Sequence, residues 1–308
     1  SLKSIDRGNN WLMKTFNRDG GCGVDIGTPS DVSCSAMVGL SFLAQGDTPV
    51  EGPRSREVRN LRSYLLGVVE NNLIDTSLHT QVKADFGAYS DYIFACLFLS
   101  QVVGEGKDSD NDAVRKAVTK LVDVLSSAQH PQGHWGHSGR MPNLGVVSGW
   151  CALRGAYFAG FNIRANSENT AKYLMTQLEQ NLRSEGSRDI FTDAAGMRVL
   201  YAVGKDDQPV AQKAVDRMFT YLEHDFSSFN RLGGEQFLSF QLINDTMLKM
   251  GGEKWERWFP LVRQKLMDAQ NSDGSWTGYS CITSRTFCTA SALMTLTSPN
   301  RFLPISQP

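Results

Sequence analysis

The segment AQNSDGSW, residues 269–276, decides the fold because it joins two stretches that both have the composition of helices. The amphipathic run EKWERWFPLVRQKLMDAQ leads into it, and the apolar run TFCTASALMTLT follows within ten residues. Asp273-Gly274 suits a tight turn, because glycine adopts a positive φ without steric cost. The amide of Gln270 can bond backbone groups left free at a helix end, and Trp276 offers a large flat surface for packing. The segment therefore predicts a clasp between two helices and not an active site.

Six apolar segments like the one after this clasp recur along the chain. The first five end in a glycine, at intervals of 44 to 58 residues, and each glycine suits the left-handed position that ends a helix. A helix that is apolar around most of its surface must be buried, so the segments predict six inner helices. They are DVSCSAMVGLSFLAQG (31–46), DYIFACLFLSQVVG (91–104), VVSGWCALRGAYFAG (146–160), DAAGMRVLYAVG (193–204), QFLSFQLINDTMLKMG (236–251) and TFCTASALMTLT (286–297).

A more amphipathic run precedes each apolar segment. In DAVRKAVTKLVDVLSSAQ (112–129), charged residues occupy one side of a helix and apolar residues recur at helical spacing on the other. The apolar residues are Val114, Val118, Leu121, Val122 and Leu125. Each repeat unit is therefore predicted to pair an outer helix, which has one wet face, with a buried inner helix.

The ends of the repeat array indicate how the units assemble. The first and last apolar segments show no polar cap of the kind that an open stack of repeats needs. We therefore predict an all-α fold, an α/α toroid in which six helical hairpins close into a double-layered barrel. The chain, 1–308, is predicted to be one such domain, with a proline-rich tail along the outside. The units are approximately 1–46, 47–104, 105–160, 161–204, 205–251 and 252–298, and the tail is 299–308.

The clasp segment occurs in one full and two partial copies. The second copy, QHPQGHW, keeps a glutamine, a glycine and a tryptophan, and the third, FNRDGGC (16–22), keeps only Asp19 and Gly20. With these copies the chain resembles the terpenoid cyclase and protein prenyltransferase superfamily, whose QW repeat has the pattern Q-x-x-D-G-x-W. The resemblance implies an α/α toroid of six hairpins and a structural clasp role, on the outside of the barrel, for seven residues. These are Gln129, Gly133, Trp135, Gln270, Asp273, Gly274 and Trp276.

The catalytic motifs of that superfamily's characterised branches do not occur in this sequence. It has neither D-x-D-D nor D-D-x-x-D, and the nearest acid cluster, DSDND (108–112), is expected to be a solvated loop. The zinc-binding pattern of the prenyltransferases is not matched, because Asp31 and Cys34 are three apart and the sixth unit has no histidine. Cys22-Gly23 lacks the glutamine that a thioester would need. No cofactor is evident.

The acids near the starts of the inner helices are the candidate catalytic residues. In a closed barrel, equivalent positions of successive units meet at one rim, where paired acids serve acid–base chemistry or hold a cation. The alternative is that they only cap helices, since anions favour helix N-termini. The rim candidates are Asp31, Asp91, Asp193 and Glu235, and the candidate lumen-wall residues for ligand binding are Phe94, Trp150, Tyr157 and Phe240.

Three of the five histidines, His130, His134 and His137, lie together in QHPQGHWGHSGR. Neutral imidazole is a common metal ligand, so the triplet is a weak candidate metal site. The alternative is three ordinary surface histidines, since no acid accompanies them before Arg140.

Composition and net charge limit the kinds of partner that the protein is expected to bind. The net charge of −1 argues against nucleic acid, which normally requires a basic patch. The sequence has no apolar run long enough to span a membrane. Without an initiator Met or a signal-peptide pattern, we expect a soluble, mature or trimmed product, either cytoplasmic or exported after signal removal. The six cysteines include no C-x-x-C pair, which favours reduced thiols.

Three functions remain open at this stage, and the sequence leaves open whether the protein is an enzyme. The first is a non-catalytic or divergent toroid that binds a ligand or partner in its lumen, for instance an apolar or isoprenoid small molecule or another protein. The second is an isoprenoid cyclase or prenyltransferase, which would need a deep apolar cavity. The third is a toroid polysaccharide lyase or hydrolase, which would need an open cleft with acids and aromatic residues.

Overall fold

The computed structural model describes residues 2–184, 189–224 and 231–300, and these residues form helices and loops without a β-strand. Six inner helices follow the predicted apolar segments. They are α2 (Val32–Leu43), α5 (Ser90–Gln101), α7 (Pro142–Phe158), α9 (Ile190–Ala202), α11 (Gly234–Met250) and α13 (Arg285–Thr297). The outer helices are α1 (Leu2–Leu12), α3 (Ser55–Glu70), α6 (Asp108–Ala128), α8 (Arg164–Arg183), α10 (Pro209–His224) and α12 (Gly252–Asp268). One short helix, α4 (Gln81–Phe86), stands outside this scheme.

The inner helices form a closed ring. Each packs against the next in the order α2, α5, α7, α9, α11 and α13, and α13 packs back against α2. The outer helices cover this ring as a second layer. The predicted all-α class and α/α toroid are therefore confirmed. The predicted tail is described only as far as residue 300, and residues 301–308 lie outside the described ranges.

The two layers differ in burial as their sequence patterns predict. All of α5 except Tyr92 is buried, whereas α6 buries one face that includes all five apolar residues named above. The glycines that end the first five apolar segments have φ between 64° and 94°. One expectation was wrong: DSDND begins α6 and is not a loop, with Asp108 and Asp110 in the first turn, where carboxylates interact favourably with the helix dipole.

The three clasp segments share one turn, in which a glycine with positive φ faces a backbone carbonyl of an outer helix. A Cβ at Gly20, Gly133 or Gly274 would lie 2.7, 2.2 or 2.5 Å from the carbonyl oxygens of Asn60, Asn169 and Arg7, respectively. Those carbonyls belong to α3, α8 and α1. Only glycine fits this approach, so each turn holds its outer helix closely.

Side chains complete two of the clasps with matching bonds. The Nε1 atoms of Trp135 and Trp276 donate to the carbonyls ten residues upstream, at 2.8 and 2.7 Å. Gln129 binds α8 through Asn166 and Thr170. Gln270 binds α1 through Ser4, and Asp273 accepts bonds from the amide and hydroxyl of Ser275. The Gln270 clasp therefore joins the last outer helix to the first, at the seam of the ring.

Helix α4 plugs one end of the lumen, and no periodicity in the sequence predicted it. The ring of Phe86 packs against Phe94 of α5 and Phe287 of α13, with ring centroids 6.4 and 6.0 Å apart. Farther in, a cavity of ≈20 Å³ is enclosed by side chains of α2, α5, α7, α11 and α13. That volume holds about one water molecule, so side chains fill this part of the lumen.

Candidate functional site: the N-terminal mouth of the barrel

The N-termini of the inner helices meet at one end of the barrel, called here the N-terminal mouth. Hydrogen bonds join neighbouring helices at this end: Ser33 of α2 donates to Asp91 of α5 at 2.6 Å. Asn143 of α7 likewise donates to Thr192 of α9 at 2.8 Å. Helix α4 lies across this mouth, where its polar residues meet those of the ring.

Three potential metal ligands converge beside α4. Asp85 of α4, Glu235 of α11 and Cys281 of the loop before α13 form what we call the acid cluster. One ligand atom from each residue lies within 4.8 Å of the other two. Both carboxylates are buried, whereas Cys281 is partly exposed. Among the described residues, this is the group that brings three such atoms so close together.

Glu235 fixes the position of Cys281. Its carboxylate accepts a hydrogen bond from the Ser280 hydroxyl at 2.7 Å and another from the Ile282 amide at 3.2 Å. Cys281 lies between these two residues and has a φ of 35°, a region that non-glycine residues rarely adopt. Strained backbone of this kind persists only where its surroundings enforce it, and it is concentrated at functional sites.

Asp85 has one satisfied oxygen and one without a partner. Its Oδ1 accepts a hydrogen bond from Nε of the half-exposed Arg140 at 3.0 Å, whereas its buried Oδ2 has no hydrogen-bond partner. Burial and the charge of Glu235 raise the pKa of Asp85 to about 6, although Arg140 and the neighbouring Cys281 thiol oppose the shift. Partial burial, Glu235 and Asp85 raise the pKa of the Cys281 thiol above its usual value. The cluster is thus short of positive charge.

A separate ionic network occupies the other side of α4. Lys83 is buried, and its Nζ lies 2.9 Å from Asp75 and 3.4 Å from Asp91. Burial alone would lower the pKa of Lys83, but the bond to Asp75 and the charge of Asp91 raise that pKa. Burial and Asp91 raise the pKa of Asp31. This network is internally paired, so it fastens α4 to α5 and leaves no open position for a ligand.

The four predicted rim acids have different surroundings. Asp31 caps α2 by accepting a hydrogen bond from the Cys34 amide at 2.8 Å, and Asp91 pairs with Lys83. Glu235 alone joins the acid cluster. Asp193 contradicts the expectation of a lumen-facing acid, because it bonds Asn181 of α8 and Arg217 of α10 in the outer layer. Their catalytic roles stay predictions.

The four predicted lumen-wall residues also differ in where they lie. Phe94 lines the small central cavity. Trp150 and Phe240 are buried, at 2% and 0% exposure, but do not line that cavity. Tyr157 is not a wall residue, because it lies near the C-terminal end of α7 and is 53% exposed beside Phe158.

The histidine triplet stacks instead of converging. The rings of His130 and His134 lie 4.5 Å apart between centroids, and those of His134 and His137 lie 4.2 Å apart. Nδ1 of His130 and Nδ1 of His134 each accept a hydrogen bond from a backbone amide. This geometry does not support the weak metal candidate that the sequence suggested.

Sequence comparison identifies no relative: no protein-family model and no curated protein matches this chain. Structural comparison finds toroids of two kinds. An inactive variant of the α-1,6-mannanase GH76A from Salegentibacter sp., in complex with α-1,6-mannotriose, has a TM-score of 0.66 at 10% identity, covering 97% of this chain and 99% of its own. The type II terpene cyclase MstE from Scytonema, a variant with bound geranylgeranyl dihydroxybenzoate, has a TM-score of 0.57 at 14% identity, covering 98% of both chains.

A crystal structure of a protein from Actinoplanes is similar to this chain as well, with a TM-score of 0.60 at 15% identity, covering 96% of this chain and 98% of that one. At such low identity these similarities establish the fold alone, because one fold hosts many chemistries. Among the described residues, every helix is too short or too polar to span a bilayer.

Proposed function

We propose that this protein binds a divalent metal ion of the zinc class at the acid cluster, and that its working site is the N-terminal mouth. The observation that carries the proposal is the buried Oδ2 of Asp85, which has no hydrogen-bond partner and belongs to a group of three converging ligands. A buried polar atom without a partner costs free energy. A cation at this position would satisfy it and would neutralise the adjacent carboxylate of Glu235.

The donor set favours zinc over calcium or magnesium. Thiolate and carboxylate are both zinc ligands, whereas calcium and magnesium take oxygen ligands in larger numbers. Arg140 holds Oδ1 of Asp85, so Oδ2 is free to face the ion, and Glu235 positions the cysteine. Such outer partners are what orient metal ligands in proteins.

Three protein ligands would leave a fourth tetrahedral position for a water molecule or a substrate oxygen, as in catalytic zinc sites. An ion in such a site lowers the pKa of bound water and polarises carbonyl or phosphoryl oxygens. The half-exposed Arg140 would face an anion held there. The proposal therefore extends to metal-assisted chemistry on a polar substrate.

The filled lumen does not favour an isoprenoid ligand, because the ≈20 Å³ cavity is far smaller than such a chain needs. The clasp segments, with their shared turn, nevertheless support a relation to the terpenoid cyclase and protein prenyltransferase superfamily, and their QW-repeat character is part of this proposal. Glycan hydrolysis is less favoured, since Asp85 and Glu235 are 0% and 1% exposed, whereas a polysaccharide chain needs an open cleft.

Calorimetric titration of the reduced protein with Zn²⁺ tests the metal site. We expect one ion per chain, with affinity lowered at least about 10-fold in Asp85→Asn and in Cys281→Ser, because each removes a ligand. Asp110→Asn is the matched control, since Asp110 is also paired with a cation, Arg62, but lies on α6 and outside the cluster. Co²⁺ in place of Zn²⁺ should give a thiolate charge-transfer band that Cys281→Ser abolishes.

Circular dichroism and melting curves of each variant, without metal, separate loss of binding from loss of folding. Equal Zn²⁺ affinity in the parent protein, Asp85→Asn and Cys281→Ser would refute the site. So would a cobalt complex without the thiolate band.

A further inference from the structure

The opposite end of the barrel, the C-terminal mouth, carries an excess of positive charge. Arg154 of α7, Arg198 of α9 and Lys249 of α11 interact electrostatically there, together with one carboxylate, that of Asp245. Asp245 Oδ2 lies 3.8 Å from Nε of Arg198 and accepts a hydrogen bond from Gln241 at 2.9 Å. When Lys254, Asp206 and Glu253 at the same mouth are included, four cations against three carboxylates leave a local charge of about +1 when all are ionised.

Aromatic rings hold the arginines in place without neutralising them. The guanidinium carbon of Arg154 lies 5.4 Å from the ring centroid of Trp150 and 4.8 Å from that of Phe158. Arg198 lies 5.6 Å from the same Trp150 ring. Cation–π contacts of this kind orient a guanidinium and leave its charge in place.

Two observations indicate that this group of cations has too few anionic partners. Nε of Arg154 is buried without a hydrogen-bond partner. Burial and the charge of Arg198 also lower the pKa of Arg154, and burial and both arginines lower the pKa of Lys249 to about 8. The cations therefore repel one another, and a bound anion would relieve that repulsion.

An open bay of ≈680 Å³ adjoins the cluster, and we call it the anion bay. Its volume lies in the range typical of small-molecule sites. Two exposed acids at the bay disfavour a long polyanion, which would have to pass them. The residues that line it include Arg154, Tyr201, Lys249 and Lys254, with Asp206 and Glu253 as the two acids.

We infer that the anion bay binds the phosphate group of a small phosphorylated molecule. A phosphate carries about −1.5 to −2 charges near neutral pH, opposite in sign to the local excess. The guanidinium of Arg154 offers a fork of donors that suits phosphate geometry, and Lys249 adds a mobile point charge. Tyr201 lies where it can pack against the organic part of the ligand. This site shares no residue with the acid cluster at the other mouth.

Calorimetry at low ionic strength with inorganic phosphate and with phenyl phosphate tests the inference. We expect saturable binding of both, tighter for phenyl phosphate, with at least a 10-fold loss in Arg154→Met and in Lys249→Met. Lys213→Met, on the exposed side of α10, is the matched control and should change affinity less than two-fold. If phenyl phosphate binds no better than phosphate, the bay takes the free ion and the organic part of the inference fails.

A second measurement follows Lys249 directly. A lysine with a depressed pKa reacts readily with acylating reagents, because more of it is the free amine. Phosphate should slow acylation of Lys249, measured by mass spectrometry, at least 5-fold while leaving Lys213 unaffected. Absence of saturable binding to the parent protein, equal binding in all variants, or unchanged Lys249 acylation would each overturn the inference. Loss of Zn²⁺ binding has no bearing on these outcomes.

Discussion

Trp276→Ala should lower the free energy of unfolding by about 3–5 kcal/mol, the cost of deleting a buried aromatic side chain. For a chain of 308 residues, this corresponds to a fall in melting temperature of roughly 5–8 °C. Trp276 is completely buried, and its ring lies against Gly8 of α1. Its backbone amide also donates a hydrogen bond to the hydroxyl of Thr289 on α13, at 2.9 Å. The substitution therefore leaves a cavity where the last unit of the ring meets the first.

Two further variants separate the contributions to this effect. Trp276→Phe keeps most of the ring but loses the bond to Leu266, so it should cost less than Trp276→Ala. Tyr279→Ala removes an aromatic ring that is 61% exposed in the same loop and should change stability by less than about 0.5 kcal/mol. Thermal denaturation with calorimetry measures all three.

The interpretation of the segment as a clasp also makes a claim about binding. Zn²⁺ affinity in Trp276→Ala should stay within about three-fold of the parent value, since the tryptophan contributes no ligand to the acid cluster. Unchanged stability together with lost binding would contradict the clasp and would assign Trp276 to the site instead. Trp135→Ala, in the second copy, should destabilise comparably because its ring is buried and bonded in the same way.

The sequence predicted the ring because the relevant signals are local and repeated. Burial of α5 on nearly all sides follows from its run of apolar residues, and the turn at Gly274 follows from Asp-Gly. The contact between α13 and α2 follows from the lack of a polar cap at either end. Each of these inferences uses only composition within a segment or comparison of segments along the chain.

The acid cluster could not be predicted in the same way. Asp85, Glu235 and Cys281 are far apart in sequence and meet only because α4 lies across the mouth. That helix has six residues, too few to show a periodic pattern. Two signals were available: Glu235 is one of the predicted rim acids, and Cys281 lies in a loop-like stretch outside the apolar runs.

Two expectations were wrong because they assumed which side of an inner helix a residue occupies. Asp193 was placed at the start of its helix, but Asp189 is the residue that caps α9, and Asp193 lies one turn later on the side facing α8 and α10. Tyr157 lies close to the end of α7, where the buried face gives way to solvent. Position along a segment does not determine which side of a buried helix a residue occupies.

Gly145→Ala should destabilise the protein by about 1–3 kcal/mol and loosen the plug, because a methyl group there collides with the backbone of α4. A Cβ at Gly145 would lie 1.9 Å from the carbonyl oxygen of Phe86. Backbone cannot rotate aside as a side chain can, so either α4 or the start of α7 must move. Asp85 precedes Phe86, so the displacement should also carry a ligand away from the acid cluster and weaken Zn²⁺ binding at least about 10-fold.

Gly67→Ala is a control that should stabilise the protein, whereas Gly145→Ala should destabilise it. Gly67 lies within α3, and a Cβ there would meet no atom within 4 Å. Alanine has a higher helix propensity than glycine, so this variant should gain about 0.5–1 kcal/mol and keep its Zn²⁺ affinity. Thermal denaturation and Zn²⁺ titration of the two variants measure both effects. If both alanines stabilise the protein, or if Gly145→Ala loses stability without losing metal affinity, then α4 does not hold the acid cluster together.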